Sequence, residues 1–309
     1  MQLKNYFLYV IAVSMLFSCE PTPQAKVEPD STPKKAAYSG PPYTIKLEEF
    51  VNPAIPGLHS YIHAVYEDKL IMIGGRTNGL HMNYNFSLEH ANQKIYVVDT
   101  RNWGDPSDWE VHSMAYSQVK GIDNAQFRSN NAQFFQEKGV LYIVGGLEYA
   151  NVATSARHRE GKVELILAPG KTLDGKPAKA PTTLPYMTAV NLDDLVLAVM
   201  SSGTLAPPNV RQVKNDSLAV TGGELEVIKG KVFLVFGWNF GANTADYTHE
   251  IRTFTYSDDG NTLGLGPITV CPTCWDGETP PSNLGNFRRR DGSMSPIIDV
   301  RDESEGLMF

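Results

Sequence analysis

Apolar and polar positions follow one layout three times along the chain. His59-Ser60-Tyr61-Ile62-His63-Ala64-Val65 leads through the charged turn Glu67-Asp68-Lys69 into Leu70-Ile71-Met72-Ile73 and Gly74-Gly75. Asn130-Asn131-Ala132-Gln133-Phe134-Phe135 leads through Glu137-Lys138-Gly139 into Leu141-Tyr142-Ile143-Val144 and Gly145-Gly146. Gly223-Glu224-Leu225-Glu226-Val227-Ile228 leads through Lys229-Gly230-Lys231 into Phe233-Leu234-Val235-Phe236 and Gly237-Trp238. A strand, a short charged or Gly-containing turn and a buried apolar strand predict a β-hairpin each time. The closing Gly permits a sharp turn at positive φ or a close backbone approach. A further strand pair follows each hairpin after a polar insertion. In the first unit it is Gln93–Asp99 and a strand around Trp109; in the third it is His249–Tyr256, with a turn at 257–261. The predicted fold class is all-β.

This order of apolar strand, Gly-Gly, polar loop, Tyr-centred strand and Trp strand resembles the Kelch repeat over roughly residues 43–309. The resemblance implies a Kelch-like β-propeller, partial in this chain, with about three to four blades. The spacing departs from the family: Gly74 to Gly145 is 71 residues and Gly145 to Gly237 is 92, against about 50 for a Kelch blade. Long loops at 76–92 and 147–186 account for the excess, and such loops are where recognition usually resides. A β-sandwich with fortuitous Gly-Gly pairs is the competing architecture.

A fourth repeat starts near Asn286-Phe287-Arg288-Arg289-Arg290-Asp291 and runs through Met294–Ile298 to Leu307-Met308-Phe309. Propellers usually have four to eight blades, so the expectation is a ring unfinished within this chain. Either a longer parent sequence or self-association of two copies would close it.

The first residues read differently. Lys4 and the apolar run Tyr6–Phe17 form a signal-peptide pattern too short to span a bilayer. Leu16-Phe17-Ser18-Cys19 resembles the lipobox of bacterial lipoproteins, which implies a signal peptide over 1–18 and an acylated Cys19 that holds the chain to a lipid membrane. An ordinary secretory signal is the alternative. Glu20 after the Cys implies export to the cell envelope and sorting to the outer membrane. Residues 19–42, with six prolines, are expected to form a disordered tether.

The net charge of −7 argues against a nucleic-acid partner. Only Cys271 and Cys274 remain besides Cys19. A local disulfide, free thiols, or metal or redox chemistry are the open readings, the first favoured by an oxidising compartment.

Catalytic motifs are missing from the sequence: no nucleophile elbow, His-Glu-x-x-His, P-loop or dinucleotide fingerprint occurs. No catalytic residue, metal site or cofactor is therefore assigned. His59 and His63, four apart on a predicted strand, could share a face as a metal pair or serve packing. Counting back from the Gly of each repeat, with one turn insertion in the second, sets Gln133 and Glu226 level with His63. Such a ring would face a shared channel, as a ligand site or merely as a polar lining. Arg289 and Arg290 lie in the one dense basic run, and Arg128 sits in a similar Phe-Arg context. Guanidinium groups at a propeller mouth suit a carboxylate ligand; ordinary salt bridges are the plainer reading. Tyr84 and Asn85 lie in a loop whose aromatics and amides suit sugar contact.

Together these features predict an anchored binding module for a glycan or protein ligand. The alternatives are a Kelch-scaffold enzyme acting on carbohydrates, or a truncated product without independent function. A galactose-oxidase-like copper centre would need His partners near Cys271 or Cys274, which the sequence lacks. A mutarotase-like site could pair Arg128 with Glu226.

Overall fold

The computed structural model describes residues 51–79, 86–101, 104–151, 154–159, 162–167, 179–241, 244–271, 289–298 and 303–308, with Thr44, Lys46, Leu47 and Glu49. For 154–159, 162–167, 244–245 and 271 it describes the backbone alone. The chain divides into two units, Met1–Val51 and Asn52–Phe309. The described residues of the first are exposed; all the sheets among the described residues lie in the second. Cys19 and the tether lie outside the described residues.

The fold is all-β, built from antiparallel sheets. The first sheet is a meander in chain order: β1 (Ile62–Tyr66), β2 (Lys69–Ile73), β3 (Lys94–Asp99) and β4 (Glu110–Ala115). Next come β5 (Gln133–Glu137), β6 (Val140–Val144), β7 (Leu147–Glu148), β8 (Thr154–Arg159), β9 (Lys162–Leu167), β10 (Thr182–Thr183), β11 (Tyr186–Asn191), helix α1 (Leu192–Met200) and β12 (Val210–Lys214). The second sheet is β5-β6-β11-β12. The third unit follows as β13 (Glu224–Ile228), β14 (Lys231–Val235), β15 (Trp238–Gly241), β16 (Thr244–Tyr247), β17 (Ile251–Asp258), β18 (Leu263–Leu265) and β19 (Thr269–Cys271). Its sheet is β13-β14-β17-β18, with β19 also on β17. β20 (Ser295–Ile298) and β21 (Glu305–Met308) form a final hairpin.

The first strands of successive units lie side by side, β1 by β5, β5 by β13 and β13 by β20. Strand alternation then fills the seams between sheets. Ile62, Ala64, Ile71 and Ile73 pack with Phe127, Leu141, Ile143 and Val190 across the first seam. Val144, Met187 and Leu218 pack with Val232, Leu234 and Phe254 across the second. A buried ion pair also ties the second seam: Arg211 Nη2 lies 2.6 Å from Asp258 Oδ2, both side chains nearly inaccessible. The Tyr142 hydroxyl donates to the same carboxylate at 3.0 Å.

One corner geometry repeats four times. Ser60, Asn131 and Gly222, each two residues before its hairpin begins, and Asp291 ahead of the final hairpin all have positive φ. The N–H of each donates to the carbonyl of its predecessor: Asn131 to Ser60 at 3.0 Å, Gly222 to Asn131 at 2.9 Å, Asp291 to Gly222 at 2.9 Å. A second series runs forward from the end of each inner hairpin: Gly75 N–H donates to Ser129 O, Gly146 to Val220 O and Gly237 to Arg289 O. These bonds fix the register of each unit on the next.

They also correct three expectations. The third glycine pair corresponds to Phe236-Gly237, because Gly237 is the residue that donates as Gly75 and Gly146 do. Phe236 takes the place of Gly74 and Gly145 and keeps their positive φ, at 60°. The hairpins need no turn insertion: Ile62 pairs with Ile73, Gln133 with Val144 and Glu224 with Val235, so these three are level. Gln133 and Glu226 are therefore not level with His63; Phe134 and Leu225 are. Finally, His59 and His63 do not share a strand face, because Ser60 at φ 57° breaks the extended chain between them.

Two further elements complete the fold. Helix α1 turns Leu192, Leu195, Val196 and Val199 into the first seam, the i, i+3, i+4, i+7 pattern of an amphipathic helix. The insertions of the second and third units meet in one sheet, ordered β15-β16-β9-β8. Beside it Phe86, Leu147, Trp238 and Phe240 form a separate apolar cluster.

Candidate functional site

The seam between the third sheet and the final hairpin differs from the two before it. At the first seam a Cβ added to Gly74 would lie 2.3 Å from Ser129 O, and at the second one on Gly145 would lie 2.2 Å from Val220 O. Both seams close directly onto bare backbone. Phe236 carries a real Cβ at the corresponding place, so the third seam does not close on a glycine there. A cleft of about 30 Å³ opens there, lined by Glu224, Phe236, Arg290, Gly292 and Ser293 among others. That volume admits one water- or hydroxyl-sized group.

Glu224, the first residue of β13, presents a partly buried carboxyl to this cleft. Burial pushes it up, the neighbouring Asp291 carboxylate adds to that, and the hydrogen bond from Gly292 N–H opposes both; the result is about 7. Arg290 lies with its guanidinium 4.0 Å from the Trp238 ring centroid and its Nη1 2.9 Å from Asp291 Oδ2. Asp291 Oδ1 in turn accepts a hydrogen bond from Asn131 Nδ2 at 3.2 Å. Trp238 rests edge-on against Tyr247, at 5.3 Å and 88°. Its buried Nε1 has no partner among the described residues. The arrangement offers a carboxyl that donates or accepts near neutral pH, beside a cation seated on an aromatic face.

Of the residues singled out in the sequence, Arg289 and Arg290 line this cleft. Gln133 occupies the equivalent corner one seam earlier. Its Nε2 donates to Asn131 O at 2.7 Å, and its buried Oε1 has no partner among the described residues. His63 is exposed and meets the Phe134 ring edge-on at 4.8 Å. Glu226 is spent on its own strand, accepting from Val227 N–H at 3.0 Å. Arg128 is committed elsewhere: it pairs with Glu148 at 2.9 Å, donates to the Tyr116 hydroxyl at 2.9 Å and covers the Tyr116 ring. Lys179 binds the same Glu148 carboxylate. Arg128 and Glu226 therefore do not form the pair a mutarotase-like site would use. Tyr84, Asn85 and Cys274 lie outside the described residues, and of Cys271 only the backbone, at the end of β19, is described. Among the described residues no three His, Cys, Asp or Glu side chains are grouped to hold a metal.

Sequence reasoning missed Glu224, Trp238, Asp291 and Ser293. The signal was available for Glu224: equal two-residue turns in all three hairpins put it level with Gln133.

Comparisons with known proteins add little. No protein-family model matches the chain, and no curated protein matches it. Solved structures do match, among them one titled "Structure of YjhT", at 12% sequence identity and a TM-score of 0.35. The match covers 70% of this chain and 46% of that one, so the chain spans less than half the length of that structure. Likeness at this level carries no argument about fold or activity.

Proposed function

We propose that residues 43–309 form an arc of Kelch-like propeller blades and act as a binding module for a hydroxyl-rich ligand such as a glycan, held to the outer membrane through acylated Cys19. Two repeating sets of backbone hydrogen bonds support the propeller reading. They relate each four-stranded meander to the next by the same step, with the first strands innermost. The lipobox-like Leu16–Cys19 and the proline-rich tether support the anchor.

The observation that carries the binding reading is the cleft beside Glu224. It is too small for a sugar ring, so it takes a single hydroxyl while the rest of the ligand lies outside, against Arg290 and the rim. A carboxyl near neutrality hydrogen-bonds a hydroxyl in either protonation state. The test is a glycan array followed by calorimetry on residues 43–309. Saturable binding that falls at least tenfold in Glu224→Ala, with the fold retained, supports the reading. No binding across the array, or binding untouched by Glu224→Ala and Arg290→Ala, overturns it.

A further inference from the structure

Each seam is closed by the same two backbone bonds, but among the described residues the last seam buries fewer apolar side chains. Its hairpin is poorly buried: Ser295–Ile298 are all exposed, Ile298 at 67%, as is Met308 at 61%, while Leu307 is the one apolar side chain it buries among the described residues. Phe236 wedges the corner where the earlier seams have Gly. Among the described residues the seam is held by Asp291 N–H on Gly222 O, Gly237 N–H on Arg289 O, Asn131 on Asp291, Gly292 N–H on Glu224, Arg290 over the Trp238 ring, and the Lys229–Glu305 pair at 3.6 Å. Into this seam the fold places one carboxyl, Glu224, supported by a single N–H from Gly292 and facing Asp291.

We propose that this seam is a proton-controlled joint: the final hairpin docks on β13 when Glu224 is protonated and loosens when Glu224 and Asp291 are both charged. Arg290 offsets part of the Asp291 charge, but among the described residues no cation is paired with Glu224 itself. Arg290 is engaged by Asp291 and Trp238. Lys231 of β14 lies over Phe233. On β17 Arg252 is paired with Glu250. Glu226, further along β13, adds a second negative charge on the same strand face, and Arg289 contributes its carbonyl to Gly237. Linkage then fixes the direction. Docking buries Glu224 and favours its neutral form, so protonation must favour docking by the same factor. With the carboxyl raised from 4.5 to about 7, docking is strongest below the lower value, weakens as pH rises, and levels off once pH has passed the upper one. The inference shares the Glu224 cleft with the proposed ligand site but needs no ligand, so the two fail separately.

Hydrogen exchange of the full chain, corrected for the intrinsic pH dependence of exchange and without ligand, tests it. Amides of 291–298 and 303–308 are expected to lose about tenfold protection between pH 6 and pH 8, while β2 and β6 stay unchanged. Glu224→Gln should show equal protection at both values, no lower than the native chain at pH 6, and Asp291→Asn should shrink the loss and move its midpoint downward in pH, because it removes the charge that helps raise the Glu224 carboxyl. Equal corrected protection at pH 6 and 8 in the native chain overturns the proposal. So does a native-like pH response in Glu224→Gln or, should that variant not fold, an unmoved midpoint in Asp291→Asn.

Discussion

Replacing Gly145 by Ala isolates what close approach is worth at a seam. Gly145 has a φ of 67°, and an added Cβ would sit 2.2 Å from Val220 O and 3.0 Å from Leu218 O. Two costs combine. The left-handed backbone costs a non-Gly residue about 1–2 kcal/mol. Relief of the collision must move the second and third sheets apart by about 1 Å, since real Cβ atoms stay at least 3 Å from such atoms. That movement stretches the 2.8 Å bond from Gly146 N–H to Val220 O, worth about 1 kcal/mol. It also thins the packing around Val144, Leu218 and Val220, all fully buried, at a cost of about 1–2 kcal/mol. The expected total is about 3–5 kcal/mol. Gly230→Ala is the control: its φ is 73°, but nothing lies within 4 Å of the added Cβ, so only the backbone cost of about 1–2 kcal/mol applies. Urea unfolding followed by tryptophan fluorescence measures both. If Gly145→Ala falls within 0.5 kcal/mol of Gly230→Ala, seam closure on bare backbone is not what fixes the sheets, and the account of the third seam built on Phe236 fails with it.

Other outcomes follow from the same geometry. Asp258→Ala leaves Arg211 buried without its partner and is expected to cost about 3–5 kcal/mol, whereas Arg211→Met with Asp258→Leu should cost less than either single change; denaturation midpoints decide. Burial pushes the Asp258 carboxyl up, but hydrogen bonds from Arg211, Gly260 N–H and Tyr142, with the Arg211 charge, hold it below its ordinary 3.8. Its contribution is therefore complete above that value and lost as pH falls through the lower folded value, so Asp258→Asn should flatten the acid limb of a stability–pH curve. Glu224→Gln works the other way. Above pH 7 the native carboxyl is charged in a partly buried site, and its raised value corresponds to destabilisation on the order of 1–2 kcal/mol after allowance for solvent screening. The variant should gain that much at pH 8 and nothing at pH 4, read from thermal scans. Arg290→Ala uncovers the Trp238 ring and is expected to change its fluorescence quenching by acrylamide at least twofold; an unchanged quenching constant would mean that the stacked guanidinium does not shield the indole.

Much of the frame was legible in the sequence, because each inner hairpin carries its own signal. The three strand–turn–strand segments appear where alternation and glycine place them, and Ser295–Ile298 with Glu305–Met308 form the pair expected at the start of a fourth. Register was less legible. The hairpins differ in how many charged or Gly residues surround the turn, so the pattern alone admits an insertion in the second and sets Glu226, rather than Leu225, level with His63. Helix α1 is hard to read from the sequence although Leu192, Leu195, Val196 and Val199 carry a helical period, because it interrupts a strand-rich stretch within a long connection. The partner of Arg128 could not be read at all: Glu148 is twenty residues away and reaches it only through the turn that follows the second glycine pair. Phe236 at positive φ had no sequence signature, since nothing local favours an aromatic there.

The sheet ordered β15-β16-β9-β8 gives two distant insertions a common fate. Its strands come in pairs from 154–167 and 238–247, and β16 against β9 is the line where the two contributions join. Delete either pair and the other is left with an unzipped margin of backbone amides and carbonyls, open to any strand that drifts past. Lengthening, trimming or swapping these loops one at a time is therefore a structural operation on both, and chimaeras that exchange them should do so together.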